Sequence, residues 1–422
     1  MRKAVILLCV LIFISLLNST TIEVNIDGTG DYLTIQEGIN ASTDGDTVLV
    51  YPGRYFENTD FIGKTITVAS LELTTGNTDY IHSTVIDGNQ SGCCVAVYNY
   101  EEEGTTLRGF IITNGIGFLN GSRRYGGGIY TFNSSLRIIN CIVENNSSVG
   151  GGGIVIIGSN IFLEGNTIRN NQASEFGGGI ASGCLTGSIV YSYENRCNVY
   201  DNFSPLGLDI YNSLEIGVIT DVIVDTLTVS DPFGYEFYQG DNDYYQNYED
   251  MVFEMLHAKY ESVEADLYVS PGGDDNNGGL TVDDPLQTIN NALQRIIVDE
   301  DNPRTIFLTD GIYSSSLNNQ RFPISMRGYV SLIGESEENT IIDLGAGHQG
   351  FVIDLFSELG YEFRNFTVRN GFVDEDDSFY HKIFYLLNIN YSSELVVMEN
   401  LQIINNEFDK LISAGDINIT LT

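Results

Sequence analysis

Tryptophan is absent from the 422 residues, so tyrosine (25) and phenylalanine (22) supply every aromatic side chain. Basic residues are scarce, 19 Lys and Arg against 57 Asp and Glu, which leaves a net charge of −38. Such a surface repels phosphate backbones and anionic lipid headgroups. It excludes nucleic acid as an expected partner and makes divalent cations attractive counterions. A disulfide framework is also missing. Past residue 20 the cysteines are Cys93, Cys94, Cys141, Cys184 and Cys197, an odd number at irregular spacing. Cys93 and Cys94 are adjacent and would point to opposite faces of a strand, so Cys184 with Cys197 is the one pairing worth testing. No apolar run after residue 17 is long enough to cross a bilayer. Helices do not alternate with the strands, which argues against an α/β fold, and the hairpin turns of a β-sandwich are missing.

What is present begins with an export signal. Arg2 and Lys3 form a basic start, Ala4 to Leu17 is a short apolar run, and Asn18 to Thr21 is small and polar. Residues 1–20 therefore read as a signal peptide, and the mature chain as secreted or held at a bacterial cell surface without spanning the membrane. Cys9 is not a lipidation cysteine, because Leu7 and Leu8 precede it. Glycine is frequent (45), and Asn, Thr, Ile and Val are abundant, which is the chemistry of strands and turns.

A short motif recurs: Gly126-Gly127-Gly128-Ile129, Gly151-Gly152-Gly153-Ile154 and Gly177-Gly178-Gly179-Ile180. Between its copies lies an apolar alternation ending in asparagine, at Asn114, Asn145, Asn170 and, more weakly, Asn202. A period of roughly 25 residues with short strands and no intervening helix fits one coil of a parallel β-helix, an all-β solenoid. Ile112, Val143 and Ile168 should then point inward and stack, and asparagines at equivalent turns should form a hydrogen-bonded ladder.

A larger repeat overlies the small one. Thr84-Val85-Ile86-Asp87 matches Thr340-Ile341-Ile342-Asp343, and Leu107 to Gly115 matches Phe363 to Gly371. Upstream, Asp46 to Tyr55 matches Arg304 to Tyr313. Each copy opens with a short helical pattern, around Ile35 and Ile39 in the first. In the second, Ile289, Ala292, Leu293, Ile296 and Ile297 fall on one face. Such helices suit the open end of a solenoid, where strand edges are otherwise unpaired. The expected organisation is a first module over 22–203, a Tyr/Asp-rich connector over 204–265, and a second module over 266–422 that is open at its C-terminal edge. The open edge suggests part of a larger chain or assembly.

The run Asp44-Gly45-Asp46-Thr47-Val48-Leu49-Val50 with Pro52-Gly53-Arg54-Tyr55 resembles the first coil of pectate-lyase-like right-handed parallel β-helix proteins. Leu267 to Asp274, continued through Leu286-Gln287-Thr288-Ile289, looks like the opening of a related β-helix family of unknown function. The Gly-Gly-Gly-Ile and Asn-Asn repeats are similar to those of polymorphic outer-membrane proteins and other bacterial surface β-helices. The duplicated layout resembles large secreted surface proteins with C-terminal sorting domains. The resemblance implies a fold; activity has to be argued from a site.

A polysaccharide lyase of this kind would hold Ca²⁺ in stacked carboxylates and use an arginine or lysine as base. Arg108, Arg169, Arg364 and Arg369 are the available bases, but Glu144 and Glu164 do not occupy matching repeat positions. A glycoside hydrolase would need paired acids. Asp274-Asp275 and Gly347-His348-Gln349-Gly350 have a superficial likeness to such motifs, but the two aspartates precede the cap helix. His82, His257, His348 and His381 show no metal-ligand spacing. The loop of Asp274, Asp275 and Asn277 with Asp283 offers oxygen ligands for Ca²⁺, though no cofactor is required. The reading that follows is a non-catalytic surface protein for adhesion or glycan binding, whose partner is an extracellular polysaccharide or surface protein. The alternatives are a Ca²⁺-dependent polysaccharide lyase and a structural spacer.

Overall fold

In a computed structural model, the chain is described over residues 19–184, 187–214, 221–232, 237–240, 252–299, 301–345, 351–354, 361–371, 384–387, 395–404, 412–413 and 418–421. The proposed signal peptide, apart from its last two residues, lies outside them, as do His348 and His381, most of Tyr235 to Asp250, and the end residues Ile417 and Thr422. The fold is a right-handed parallel β-helix. Chain contacts divide it into two compact units, residues Met1–Thr228 with Pro232–Lys259, and Val229–Asp231 with Tyr260–Thr422.

In the first unit each coil passes through three long sheets in turn. The first sheet runs from Thr21–Val24 through Thr47–Val50, Thr67–Ser70, Thr106–Arg108, Ser135–Ile139 and Asn160–Glu164 to Ser188–Tyr191. The second contains Ile111–Thr113, Ile142–Glu144, Thr167–Arg169 and Cys197–Tyr200, and the third Val95–Val97, Ile129–Phe132, Ile154–Ile157, Ile180–Cys184 and Ile210–Leu214. A fourth, smaller sheet of Phe118–Asn120, Arg123–Tyr125, Ser147–Gly150 and Gln172–Phe176 lies between the second and third along the chain. Ile112, Val143, Ile168 and Val199 stand in register, each fully buried, so the inward stack expected from the repeat is present. Stacked aliphatic side chains of this kind contribute roughly 2 kcal/mol each through burial.

The asparagine ladder exists, but one residue later than the repeat suggested. Asn114, Asn145 and Asn170 take left-handed φ values of 58°, 56° and 54° and turn the chain. The following residue carries the ladder. Asn146 Nδ2 donates to Asn171 Oδ1 at 3.0 Å, and Asn171 Nδ2 donates to Asn202 Oδ1 at 3.0 Å. Each also donates to a strand carbonyl, Ile112 O at 2.9 Å and Val143 O at 2.9 Å. The third glycine of each motif is explained by this ladder. A Cβ on Gly128, Gly153 or Gly179 would stand 2.9, 2.9 or 2.8 Å from the amide nitrogen of Asn146, Asn171 or Asn202.

The first solenoid continues beyond residue 203, into the segment expected as connector. Ile210–Leu214 and Phe237–Gly240 join the third sheet, and Val222–Val229 and Phe253–Tyr260 the second. The motif persists there in altered form as Gly207-Leu208-Asp209-Ile210, with Gly207 at φ 60°. Asp209 replaces the third glycine and ends the ladder. Its Oδ1 accepts from Asn202 Nδ2 at 3.0 Å, and its Oδ2 from Thr228 Oγ1 at 2.7 Å.

The N-terminal end of this unit is covered by the helix Ile35–Ala41, started by a capping box between Thr34 and Glu37. Glu57 reaches across to accept from the Ile35 and Gln36 amides, both at 2.9 Å. Gly38 lets the helix seat closely, because a Cβ there would meet Val24 at 2.7 Å and Val48 at 2.8 Å.

The second unit has its own cap, the helix Ile289–Arg295, with Thr288 as N-cap and all seven helical residues buried. Its sheets include Leu267–Val269, Arg304–Leu308, Val330–Gly334 and the long strand Tyr361–Arg369, which pairs at one end with Val330–Gly334 and at the other with Thr340–Asp343. Details of the first unit recur. Tyr55 Oη donates to Tyr51 O at 2.9 Å, and Tyr313 Oη to Thr309 O at 2.9 Å. Asp87 accepts from Asn114 Nδ2 and Asp343 from Asn370 Nδ2, both at 2.9 Å. Phe110 and Phe366 are both fully buried.

Candidate functional site

The residues expected to carry lyase chemistry are occupied with one another. Arg108 Nε donates to Glu72 at 2.7 Å and its Nη2 to the other Glu72 oxygen at 3.0 Å. Arg169 donates to Glu144 at 2.9 Å, Arg369 to Asp343 at 2.8 Å, and Arg364 lies 2.9 Å from Glu399. The Glu72 carboxylate holds the Arg108 guanidinium above its ordinary range, and the Tyr200 hydroxyl, with Glu144, does the same for Arg169. A base must shed its proton near the working pH, and these contacts push in the opposite direction. Glu144 stands in the second sheet opposite Arg169, and Glu164 in the first sheet opposite Ile139, so the two glutamates lie on different faces.

In the loop expected to hold calcium, Asp275 uses both carboxylate oxygens internally. Asp275 Oδ1 accepts from the Gln287 and Thr288 amides at 2.9 Å each, and its Oδ2 accepts from Thr288 Oγ1 at 2.9 Å. It thereby holds the start of the second cap helix, and burial pushes its carboxyl up despite those bonds. Asp274 accepts from the Asn276 amide at 2.9 Å, and Asn277 Nδ2 donates to Pro285 O at 2.9 Å. Asp283 is exposed. Among the described residues no three His, Cys, Asp or Glu side chains converge as metal ligands. His82 lies in the short helix Asp79–Ser83, and His257 Nδ1 is 3.0 Å from Asp225. Cys197, Cys93, Cys94 and Cys141 are buried free thiols, while the side chain of Cys184 lies outside the described residues.

A face that was not anticipated from the sequence lies over the third sheet. Its outward positions, Ala96, Tyr130, Val155, Ala181 and Tyr211, stand in register along the coils. The first four are nonetheless buried, under side chains that include Phe118, Tyr125 and Phe176 of the fourth sheet. The first glycine of each motif makes this return possible. Gly126, Gly151 and Gly177 have φ of 64°, 67° and 63°, which a side chain rarely adopts. Gly150 leaves room for an aromatic neighbour, since a Cβ there would meet the Phe176 ring at 2.3 Å.

The result is a row of rings outside the solenoid core. Phe118 stacks on Tyr130 with centroids 4.4 Å apart, and Tyr98 tilts against Phe118 at 4.9 Å. Further along, Tyr125 and Phe176 lie 6.4 Å apart, and Phe176 and Tyr211 5.0 Å. Tyr98, Phe118, Tyr125, Phe176 and Tyr211 are each partly exposed. Polar groups flank them. Asn99 Nδ2 donates to Asp60 at 3.3 Å, Arg123 to Glu175 at 2.9 Å, and Arg124 to Gly117 O at 2.9 Å. Burial, then the Asp60 charge, pushes the Tyr98 hydroxyl up, so it remains a neutral donor. A signal was available: Tyr125 and Phe176 immediately precede the glycine triplets, and Tyr130 and Tyr211 immediately follow the motif isoleucine.

Compared with known proteins, residues 271–352 match the model of a family described as a protein of unknown function, DUF1565. That segment includes the second cap helix. No curated protein matches. Among solved structures the chain is similar to an alginate lyase from Paenibacillus sp. str. FPU-7, at 10% identity and a TM-score of 0.23 over 94% of this chain and 99% of the other. At that level nothing is carried over from one protein to the other. No helix among the described residues is long and apolar enough to cross a membrane.

Proposed function

We propose that the chain is a secreted or cell-surface β-helix protein that binds extracellular glycan, or attaches a cell to it, without turning it over. The observation that carries this reading is the row of partly exposed rings from Tyr98 to Tyr211 on the outer side of the third sheet. Aromatic faces offer a large contact area with few rotatable bonds, so rings fixed on a sheet lose little entropy when a sugar stacks on them. Their repetition along the coils suits an extended polymer better than a single reactive centre. The arginines committed to carboxylates favour binding over elimination chemistry. The export signal over 1–20 is consistent with an extracellular ligand.

The test pairs a glycan array with a turnover assay on the same preparation. Array binding should appear with no growth of ultraviolet absorbance when polygalacturonate or alginate is supplied with Ca²⁺. Absorbance growth would make the protein a polysaccharide lyase. Indifference to both would leave a spacer in a larger surface protein.

A further inference from the structure

The chemistry around the aromatic row narrows the ligand, on the premise that this face binds glycan as proposed above. We infer that the ligand is an uncharged polysaccharide, laid along the solenoid axis and taken up without a divalent cation. The first argument is charge. A polyuronate approaching this chain meets a net charge of −38, and that repulsion acts over the Debye length of about 8 Å at physiological salt. At the face itself the charges cancel and are already engaged. Arg123 is bound to Glu175, Arg124 to the Gly117 carbonyl, and Asp60 Oδ1 accepts from the Ile62 amide at 2.7 Å as well as from Asn99. A uronate carboxylate would compete with Glu175 for Arg123 and would approach Arg124 against the net negative charge of the chain.

Second, the described residues at this place do not provide for a cation bridge. A divalent ion between protein and polyuronate needs several carboxylate oxygens at one point. Here Asp60 and Glu175 each have hydrogen-bond partners, and among the described residues no three ligating side chains converge. What the face does offer is ring surface edged by uncharged groups, the Tyr98 hydroxyl and the Asn99 amide that also donates to Asp60. Those groups match an uncharged pyranose, whose C–H face stacks on a ring while its hydroxyls donate and accept at the edge.

The third argument is direction. Tyr130 and Tyr211 belong to one outward register row that ascends from Ala96 through Val155 and Ala181. The first four residues of that row are covered, but its four steps of about 4.8 Å set the span of the partly exposed rings, from Tyr98 in the first of these coils to Tyr211 in the last, at roughly 19 Å parallel to the stacking direction. An oligosaccharide long enough to span it should bind much better than a disaccharide.

Isothermal titration of the full mature chain would test this, using cellohexaose, mannohexaose and xylohexaose against hexagalacturonate, each with Ca²⁺ and with chelator, and the matching disaccharides. Phe176→Ala removes one ring. Tyr98→Phe keeps a ring and removes only its hydroxyl, so it guards against a packing defect in the first variant. At least one uncharged hexaose should bind with or without chelator, about tenfold or more weaker in Phe176→Ala at a temperature where that variant is fully folded, and measurably weaker in Tyr98→Phe. Hexagalacturonate binding that needs Ca²⁺ and is lost in Phe176→Ala would overturn the uncharged ligand while leaving the face in place. Hexaose binding indifferent to both variants would overturn the face itself. Silence towards every hexaose would overturn both.

Discussion

Asn171 sits in the middle of a buried amide chain and makes the same bonds as its neighbours above and below. Replacing it with alanine removes the acceptor of the Asn146 backbone amide and the side-chain donor to the Val143 carbonyl and to Asn202, all inside the solenoid. The expected loss is about 3 kcal/mol, read as a drop in the urea midpoint at unchanged slope. Asp209, at the end of the chain, adds a pH dependence. Burial pushes its carboxyl up to about 7, against the hydrogen bonds from Thr228 and Asn202 that pull it down. Between the ordinary carboxylate range and about 7 the folded protein therefore holds a proton that the unfolded chain has shed. Stability from this group is full at acid pH, falls as pH rises through that window, and levels off above it. Asp209→Asn cannot titrate. The stability difference between wild type and variant should shift in the variant's favour by a few kcal/mol between about pH 4 and pH 7. Parallel pH curves would remove the argument. At this scale the sequence was legible to within one residue. A 25-residue spacing is shared by both members of an Asn-Asn pair. Only the backbone reveals that the first takes the left-handed turn and the second points inward. The aspartate at 209 hid the motif's last copy, because it fills the space that glycine leaves for an amide elsewhere.

Among the elements, the two cap helices were readable because their apolar faces and N-caps are local. Thr34 and Thr288 both accept from the amide three residues on. Less readable was the purpose of the acidic loop before the second helix, since an aspartate that caps and one that binds calcium look alike in sequence. The capping account predicts that Asp275→Ala costs about 1–2 kcal/mol in the second unit. Calcium should neither raise the melting temperature of the wild type nor give heat in a titration. A clear calorimetric signal lost in Asp275→Ala would instead place a metal site in this loop. The fourth sheet was missed for a different reason. Three of its strands end just before the glycine triplets, and the rings beside them take part in a second apolar cluster that no periodicity within one coil describes. Arg169→Ala is informative here too. The ion-pair account predicts modest destabilisation and undiminished glycan binding, measured by melting and by titration, whereas wild-type turnover lost in Arg169→Ala would make it a lyase base.

For the whole molecule, repetition is what made the fold visible. Coil spacing located the sheets of the first unit. The longer repeat pointed to shared details, such as Tyr55 with Tyr313 and Asp87 with Asp343, that the structure builds with the same hydrogen bonds. The proposed function was less visible because a binding surface of that kind, spread over several coils, has no motif of its own. Its rings are far apart in sequence, from Tyr98 to Tyr211, and only the stacking of coils brings them into line. The most direct test of that surface is hydrogen–deuterium exchange of the chain with and without a bound uncharged hexaose. Protection should concentrate in 118–132, 172–181 and 210–212, with the second sheet's outer face, including 142–144 and 167–169, unchanged. Protection centred on the second sheet and its Glu144–Arg169 pair, with the aromatic strands exchanging as before, would contradict it.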